Sequence, residues 1–365
     1  MRAPGKRTTI KDVARAAGVS PATVSLALNG KSTVNQQTAE RVRRIAREQG
    51  YRAHAIARGL RTASFGILGL IIRPLHTLDN PMPHGVDFFM RLAGAAALTA
   101  LDRGYTLMLV GDPTQPDSPN SSLAADAFIV LMPHENDPIL TALTEAQIPF
   151  VTVGADPNRP DSFVAIDTRI EAEMRVMLDH LWDQGARHPA LVVGTEPNGW
   201  RAESLRHYGK WCAERGVSAR TFAQPETLGA EAGEAIAREF FDPDHSPAAT
   251  AAQGALSGPG AQATAGEARP DAVYCLTGRH ADGLLTALTS RGIAVPGDVL
   301  VAAASGTPAN QVSAPPVTTL DLHPDELART AVDAAISVAN GEAPAGPLRG
   351  PQITLVPRAS TQRPS

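Results

Sequence analysis

Hydrophobic and polar positions divide the chain into a short helical part and a long part in which strands and helices alternate. In the first fifty residues, small apolar residues recur at helical spacing in three segments, each bounded by residues that cap or end a helix. From Phe65 onward, short runs of Val, Ile, Leu and Phe alternate with longer amphipathic segments. Repeated βα units of this length predict parallel sheets that are covered by helices on both faces.

Two short helices joined by a tight turn are predicted near the N-terminus. Thr9 is placed to cap the first helix, with Asp12 completing a capping box. Gly18 supplies the turn, because glycine adopts a positive φ without strain. Ser20 is placed to cap the second helix, and Pro21 follows at its first position, where a missing N–H is harmless.

The second helix has an uncharged outward face. Its inward positions are Val24, Ala27 and Leu28, and its outward positions are Pro21, Ala22, Ser25 and Leu26. A solvated helix would carry Lys or Glu there, whereas in a helix-turn-helix this helix enters the major groove of DNA. A third helix follows Asn35, and the three helices make a minimal all-α core.

The charge distribution favours a polyanionic partner for the N-terminal part alone. Residues 1–63 hold thirteen Lys and Arg against three Asp and Glu, a balance of +10, and the remainder has a balance of −14. A basic end on an acidic body is expected when only the end meets DNA. The alternative is a solvated basic tail. The arginines at 41, 43, 44 and 47 fit a solvated face as well as phosphate contacts.

The N-terminal part resembles the DNA-binding headpiece of the LacI/GalR family of bacterial transcription regulators. The matching positions are Thr9-Ile10-Lys11-Asp12-Val13-Ala14, Ala17-Gly18-Val19-Ser20, Thr23-Val24-Ser25, Asn29-Gly30, Val34, Thr38, Val42, Gly50-Tyr51, Ala57 and Leu60. The resemblance implies DNA contacts, mainly to phosphates, by Thr9, Ser20, Thr23, Ser25, Asn29 and Thr38. It places Pro21, Ala22 and Leu26 at base edges, where none of the three side chains can donate a hydrogen bond. Readout would therefore rest on apolar contacts and DNA shape.

Residues 52–64 resemble the hinge that follows this headpiece. The family's hinge folds only on operator DNA, pairs with its symmetry mate in the minor groove and inserts a leucine between central base pairs. Leu60 matches that leucine, Ala57 matches the small position that lets two hinges approach, and His54 offers a polar contact. The alternatives are a plain linker leucine and a solvent-exposed histidine.

The remainder, residues 65–365, resembles the type I periplasmic-binding-protein fold that the family carries behind its headpiece. This implies two lobes built on parallel sheets, lobe 1 from about 65–166 and 297–320 and lobe 2 from about 167–296 and 321–360. The segment 242–270 is almost entirely Ala, Gly, Pro and small polar residues. We expect it to be a disordered surface loop rather than a binding segment.

An effector would bind in the cleft between such lobes, but four positions that grip hydroxyls in sugar-binding members have changed. Ser204 replaces an arginine, Thr277-Gly278 an Asn-Asp, Ser305-Gly306 a pair of acids and Leu322 a polar residue. The effector is therefore not a typical free sugar, or other groups hold it. Candidate contacts, each with a fold or surface role as its alternative, are Phe89, Arg91, Trp200, Arg201, Ser204, Tyr208, Thr277, Arg279, His280 and Ser305.

Composition and motifs narrow the remaining function classes. Cys212 and Cys275 form neither a metal spacing nor a disulfide framework, and the one strong apolar run, Phe65 to Ile72, is too short to span a bilayer. The basic N-terminus is followed by no apolar segment of the secretory type. Catalytic and phosphate-binding motifs are absent from the sequence. We therefore expect a cytoplasmic protein with no enzymatic activity, no metal, no cofactor and no membrane partner.

Together these features predict a homodimeric, ligand-responsive transcription repressor that binds a near-palindromic operator. A tetramer stays open, as do activation instead of repression and the identity of the small-molecule effector. The rival from another class is a small-molecule-binding protein or an enzyme of the same fold with no DNA role.

The resemblance makes Leu60 testable. We expect Leu60→Ala to weaken binding to the operator far more than binding to random DNA, because only the operator complex gains contacts from a kinked base step. Titration of both DNAs at one salt concentration measures the two losses. Equal losses would remove the wedge role.

Overall fold

A computed structural model of the chain describes residues 8–28, 34–49, 51, 65–73, 87–242, 269–342 and 347–363. Its contacts divide the chain into two units, Met1–Gly66 and Ile67–Ser365, called here the headpiece and the body. The expectations for Asn29, His54, Ala57, Leu60, the hinge and nearly all of the loop 242–270 fall outside the described residues. They stay predictions.

The headpiece contains the three helices that the sequence predicts: α1 (Ile10–Ala17), α2 (Pro21–Leu28) and α3 (Gln36–Glu48). The Asp12 carboxylate accepts hydrogen bonds from the Thr9 N–H (2.9 Å) and hydroxyl (2.6 Å) at the start of α1. Gly18 ends that helix with φ 65°. The Ser20 hydroxyl accepts the Thr23 N–H (3.1 Å) at the start of α2, and the Asn35 side chain caps α3.

One small apolar core holds the headpiece together. Val13, Val24 and Val42 contribute one side chain from each helix, and all three are fully buried. Alanines complete this core, and Tyr51 packs against its edge. Such a core is small, so the helices depend on packing against one another rather than on their own propensity.

The first lobe of the body is a six-stranded parallel sheet in the order β11-β5-β4-β3-β1-β2. Helices α4 and α11 pack on one face and α5 on the other. Its elements are β1 (Ile67–Ile71), α4 (Asp87–Asp102), β2 (Thr106–Val110), β3 (Ala127–Leu131), α5 (Pro138–Glu145), β4 (Phe150–Val153), β5 (Ala165–Asp167), α11 (Pro324–Ala339) and β11 (Leu348–Arg349).

The second lobe repeats this plan in the order β12-β10-β9-β8-β6-β7, with only β12 antiparallel. Helices α6 and α7 cover one face of the sheet, and α8 and α9 cover the other. Its elements are α6 (Ile170–Asp183), β6 (Pro189–Val193), α7 (Gly199–Arg215), β7 (Arg220–Ala223), α8 (Ala232–Phe241), β8 (Ala272–Thr277), α9 (Gly278–Ser290), β9 (Leu300–Ser305), α10 (Pro308–Val312), β10 (Thr318–Asp321) and β12 (Thr354–Val356).

The expected lobe boundaries are wrong in their C-terminal half. Residues 297–320 lie in the second lobe, because β9 pairs in parallel with β8 and β10 pairs with β9. A short β-α-β connection keeps consecutive strands in one sheet. The chain after 321 then returns to the first lobe as α11 and β11, whereas β12 and the residues that follow it belong to the second lobe, where the Ser360 hydroxyl donates to the Val301 carbonyl (2.6 Å). The chain crosses after β5, after β10 and after β11, and no crossing occurs near Pro296.

The first two crossings share one local geometry. The Asp167 carboxylate accepts the Arg169 N–H (2.8 Å), and the Asp321 carboxylate accepts the His323 N–H (2.9 Å). Arg169 (φ 59°) and His323 (φ 46°) are both left-handed, a strained conformation for residues other than glycine, and each directly precedes a helix. Each turn redirects the chain from a strand of one lobe into a helix that packs on the other lobe.

The third crossing is bonded to the first. The Arg169 guanidinium donates to the Gly350 carbonyl (2.8 Å), and the Gly350 N–H donates to the Asp167 carbonyl (2.8 Å).

In the described part of the chain, no helix is long and apolar enough to cross a membrane.

Candidate functional site

The N-terminal end of α2 presents the surface that the sequence assigns to DNA. Ser20, Pro21 and Ala22 are exposed, whereas Thr23, Ser25 and Leu26 are partly buried. Pro21 and Ala22 therefore form an uncharged, sterically small surface at the start of a helix. Leu26 is partly buried, so only part of its side chain is available for contact.

The remaining DNA candidates of the headpiece lie on α1 and α3. Thr9 is exposed, but its hydroxyl is bonded to Asp12, so its first role is to cap α1. Thr38 is partly buried in the first turn of α3. The arginines at 41, 43, 44 and 47 are exposed along α3, and Arg44 pairs with Glu48 (3.3 Å). This exposure suits both interpretations of the arginines.

A cavity lies between the two lobes of the body, with a volume of about 100 Å³. It opens where β3, β4, β8 and β9 end, and the carboxyl ends of parallel strands are the usual place for a ligand. Both lobes contribute to its wall: Phe88, Phe89, Leu92, Leu131, Met132, Val153, Thr168, Glu173, Glu196, Asn198, Trp200, Glu226, Thr277, Arg279, Ser305, Leu322, Leu327, Pro351 and Ile353.

Five of the candidate effector contacts meet on this wall: Phe89, Trp200, Thr277, Arg279 and Ser305. Phe89 comes from the first turn of α4 and Trp200 from the first turn of α7. Thr277 and Ser305 end neighbouring strands, and the Thr277 hydroxyl also caps α9. Arg91 lies beside an adjoining depression and pairs with Asp325 (3.5 Å).

The other four candidates do not line the cavity, so we remove them from the expected set. The Tyr208 hydroxyl donates to the Pro189 carbonyl (2.8 Å) inside the second lobe. The Arg201 guanidinium donates to the Gly194 carbonyl (2.9 Å). His280 is fully buried, with Nε2 3.2 Å from the Pro225 carbonyl oxygen. Ser204 is fully buried on α7. Tyr208, Arg201 and His280 bond backbone carbonyls inside the second lobe, and Ser204 is packed within it.

Glu173 is the least expected residue of the cavity wall. Only 3% of it is exposed, and its carboxylate accepts hydrogen bonds from the Trp200 indole (3.2 Å) and the Tyr274 hydroxyl (3.4 Å). Burial raises the pKa of Glu173 to about 7, and these two hydrogen bonds only partly oppose that shift. The carboxyl group is therefore poised between its neutral and charged forms near neutral pH.

Two further glutamates face the cavity from the second lobe. The Glu226 carboxylate accepts the Thr195 N–H (3.0 Å), and it lies so close to Gly194 that a Cβ there would overlap it. Burial raises the pKa of Glu226, and the charge of nearby Glu196 adds to that effect. Glu196 in turn pairs with His134 of the first lobe (3.4 Å).

The pair Glu196–His134 is part of a contact that joins the lobes beside the cavity. The loop after β3 and the loop before α7 form a short antiparallel bridge between His134 and Asn198. The Glu135 N–H donates to the Pro197 carbonyl (2.9 Å). Gly199 fits only as glycine, since a Cβ would lie 2.4 Å from the Ala155 oxygen of the first lobe. We call this contact, residues 133–135 with 196–199, the latch.

Sequence reasoning missed the three glutamates, Phe88 and Asn198. Glu173 did leave a detectable pattern, because it lies between Ile170 and Met177 on the apolar side of an amphipathic helix. An acid at such a position must be buried or must face a cavity. Glu196 lies in a loop and Glu226 begins a short 3-10 helix, and hydrophobic periodicity carries no information about burial in either.

Comparison with known proteins decides the family. Residues 9–54 match the model of bacterial regulatory proteins of the lacI family, and residues 178–361 match the periplasmic binding protein-like domain. The chain belongs to the lacI family. The fold expected from the resemblance, an all-α headpiece before a two-lobed α/β body, is confirmed.

Relatives within the lacI family are similar over different parts of the chain. MalR of Streptococcus pneumoniae serotype 4 is 30% identical over 152 residues, which are 40% of this chain and 45% of that protein. The chain thus spans about half the length of the first curated relatives it matches. The repressor PurR of Glaesserella parasuis is 25% identical over 332 residues, 89% of this chain and 88% of PurR.

Solved structures of lacI-family proteins share the fold. The Lac repressor dimer bound to operator and the anti-inducer ONPF aligns with a TM-score of 0.77 at 20% identity, covering 98% of this chain and all of that one. The complex of the regulator CelR with cellobiose aligns with a TM-score of 0.61 at 21% identity, covering 97% and 100%.

The raised pKa of Glu173 predicts a stability gain when its charge is removed. An acid with a higher pKa in the folded state than in the unfolded state destabilises the fold as pH rises through that interval. We expect Glu173→Gln to raise the free energy of unfolding at pH 8 by on the order of 2–3 kcal/mol, and the gain to fade toward pH 4.5. Urea titrations across this pH range measure the difference.

Glu171→Gln is the matched control for this experiment. Glu171 lies on the same helix, is exposed and pairs with Lys210 (3.3 Å), and this lysine lowers the pKa of Glu171. Its substitution should give no gain that grows with pH. A gain equal to that of Glu173→Gln, or none in Glu173→Gln, would show that the buried carboxyl does not carry this energy.

Proposed function

We propose that this lacI-family chain is a DNA-binding transcription regulator. It acts as a repressor whose affinity for its operator changes when a small molecule binds in the interlobe cavity. The single observation that carries the proposal is the exposed, uncharged start of α2 within a capped helix-turn-helix, in a segment that matches the lacI model. PurR, named as a repressor, and the operator-bound Lac repressor support the same conclusion.

The proposed DNA contacts divide by chemistry. Ser20, Thr23, Ser25, Asn29 and Thr38, with Thr9 at the start of α1, contact phosphates or position the helix. Pro21, Ala22 and part of Leu26 face the bases and favour apolar contacts such as thymine methyl groups. His54, Ala57 and Leu60 add the minor-groove contacts of the hinge.

The proposed effector contacts are Phe89, Trp200, Thr277, Arg279 and Ser305, together with the glutamates of the wall. A ligand among them touches both lobes beside the latch. It therefore stabilises one arrangement of the lobes over another, and such a difference in affinity between two states is what allosteric coupling requires. We propose that the protein acts in the cytoplasm and has no catalytic role.

We further propose that the protein is a homodimer joined through an apolar face of the first lobe. Met90, Leu98 and Leu101 of α4 are 55%, 67% and 62% exposed, and Leu109 of the edge strand β2 is 58% exposed. The three helical residues lie within an arc of about 80°. Apolar side chains clustered in this way mark an interaction surface. A second copy of the chain is the occupant that a near-palindromic operator requires.

A charge on the proposed reading face should abolish operator binding. Ala22→Glu places a carboxylate on the exposed start of α2, where it would meet the DNA, and we expect at least about 100-fold weaker binding to the operator region. Ala16→Glu makes the same change at an exposed position of α1 and should cost only a few fold. Fluorescence anisotropy with DNA from the upstream region of the chain's own gene measures both.

Equal losses for Ala22→Glu and Ala16→Glu would contradict the reading face. A full chain that shows no preference between this DNA and a scrambled sequence would contradict the function itself. Deletion of residues 1–63 should remove DNA binding while any ligand affinity of the body remains, and a body that still binds the DNA would contradict the assignment of DNA binding to the headpiece.

The dimer face is tested by charge as well. Leu98→Asp combined with Leu101→Asp should convert the dimer to a monomer, because two buried carboxylates per subunit would each lose their hydration. Val312→Asp is the control, since Val312 is 84% exposed and lies in the second lobe. Sedimentation of the full chain gives the mass. A dimer that survives the double substitution would place the interface elsewhere.

A further inference from the structure

We propose that the interlobe cavity takes a cationic ligand: an amine or guanidinium group attached to an apolar or aromatic body. The proposal rests on the cavity being the effector site, as argued above, and adds the chemical class of the effector. The changed hydroxyl-gripping positions leave that class open, and the charges and rings of the cavity wall decide it.

The described wall of the cavity carries an excess of negative charge. Glu173, Glu196 and Glu226 face it, and Arg279 is its one arginine, with no lysine beside it. Arg279 is itself engaged in an interaction within the protein, so it is not a free positive charge in the cavity. A ligand that brings a phosphate or carboxylate would meet this negative field, so sugar phosphates and small acids fit the cavity poorly.

The partners of these glutamates leave their charge largely uncompensated. Glu173 is bonded to an indole N–H and a phenolic hydroxyl, both neutral. Glu226 is bonded to a backbone N–H, and within the part of the chain that the structure describes the ionisable partner found for these glutamates is His134, which pairs with Glu196. A buried carboxylate is costly unless a positive charge accompanies it. A ligand cation supplies that charge, whereas a neutral polyol supplies only hydrogen bonds.

The apolar part of the wall fits the rest of such a ligand. Phe88, Phe89 and Trp200 line the same cavity, with Leu131, Leu322 and Leu327 around them. Aromatic faces attract cations and also stack on flat or apolar groups. The Trp200 indole is held by its hydrogen bond to Glu173, so one ring and one carboxylate are fixed relative to each other. This pairing suits a positive charge next to an apolar body.

A matched set of probes tests the charge preference. Phenethylamine, 2-phenylethanol and phenylacetate share one ring and differ in charge. Isothermal titration of the full chain at pH 8 should show phenethylamine binding more tightly than 2-phenylethanol by about tenfold or more. Phenylacetate should bind least. A neutral or anionic probe that binds most tightly, or no binding by phenethylamine at about 10 mM, would overturn the proposal.

Variants show whether the cation occupies this cavity. Glu173→Gln keeps a polar group beside Trp200 and Tyr274 but removes the charge. We expect it to weaken binding of the cationic probe about tenfold or more and to leave the affinity for the neutral probe unchanged. Glu196→Gln, at a partly exposed position, is a second variant that does not disturb the interior. Glu171→Gln is the control and should bind as the parent does. Unchanged cation affinity in both variants would overturn the proposal.

Binding at neutral pH gives an independent readout. A cation near Glu173 favours its charged form, so phenethylamine should release protons at pH 7, and Glu173→Gln should reduce that release. Titration in two buffers of different ionisation enthalpy measures it. The other charged groups of the cavity wall, Glu196, Glu226 and Arg279, are unchanged in both proteins, as are Tyr274, which is bonded to Glu173, and His134, which pairs with Glu196.

Failure of this inference is distinguishable from failure of the proposed function. Specific DNA binding without a preference for cations would leave the regulator intact and overturn only the ligand class. If the chain binds cations but does not discriminate between DNA sequences, the ligand class stands and the proposed function as a regulator is overturned.

Discussion

The body of this protein depends on one constraint: two parallel sheets end toward the same space, and three chain crossings hold them there. Each crossing must leave a strand of one lobe and enter the other within a few residues. Asp167 and Asp321 make this possible by bonding the backbone of left-handed Arg169 and His323. Gly350 ties the third crossing to the first. The cavity lies between the ends of these strands, and side chains of both lobes form its wall.

The chemistry of the cavity follows from where its charges are placed. Glu173 extends from the apolar side of α6 to the cavity between the lobes, where only 3% of it is exposed. The fold tolerates this carboxyl through two neutral hydrogen bonds and a raised pKa rather than through an ion pair. Glu196 and Asn198 belong to the latch and also line the cavity, so residues that join the lobes form part of the cavity wall. A ligand bound in the cavity would therefore contact residues that join the lobes.

Local patterns predicted the headpiece well, because each of its helices is defined by its own caps and by small apolar residues at helical spacing. The alternation of strands and helices likewise predicted the two covered parallel sheets. The lobe boundaries failed in the C-terminal half, since strand pairing decides which sheet β9 and β10 join, and no local pattern records a pairing partner. Strand β7 is short and lies at the edge of its sheet, and alanines make much of the packing surface of α11. Neither element therefore has the strong hydrophobic pattern that makes a strand or helix easy to predict from sequence.

The cavity residues were predictable only in part, because local sequence patterns do not record which residues meet in space. Phe89, Trp200, Thr277 and Ser305 follow strands or begin helices, and topology alone brings such positions to the cleft. Tyr208 and Arg201 are also close to it in sequence, but their polar groups are satisfied by backbone carbonyls inside the second lobe. Which polar side chain faces the cavity depends on rotamers and partners that sequence spacing does not specify.

If the cavity and the headpiece act as one regulator, the dissociation constant of the full chain for its operator depends on whether the cavity is occupied. This constant is measured by anisotropy without ligand and then with the cavity saturated by phenethylamine, with occupancy verified by calorimetry. We expect a change of about fivefold or more, in either direction, that requires a higher ligand concentration in Glu173→Gln. An unchanged dissociation constant at full occupancy would contradict the coupling.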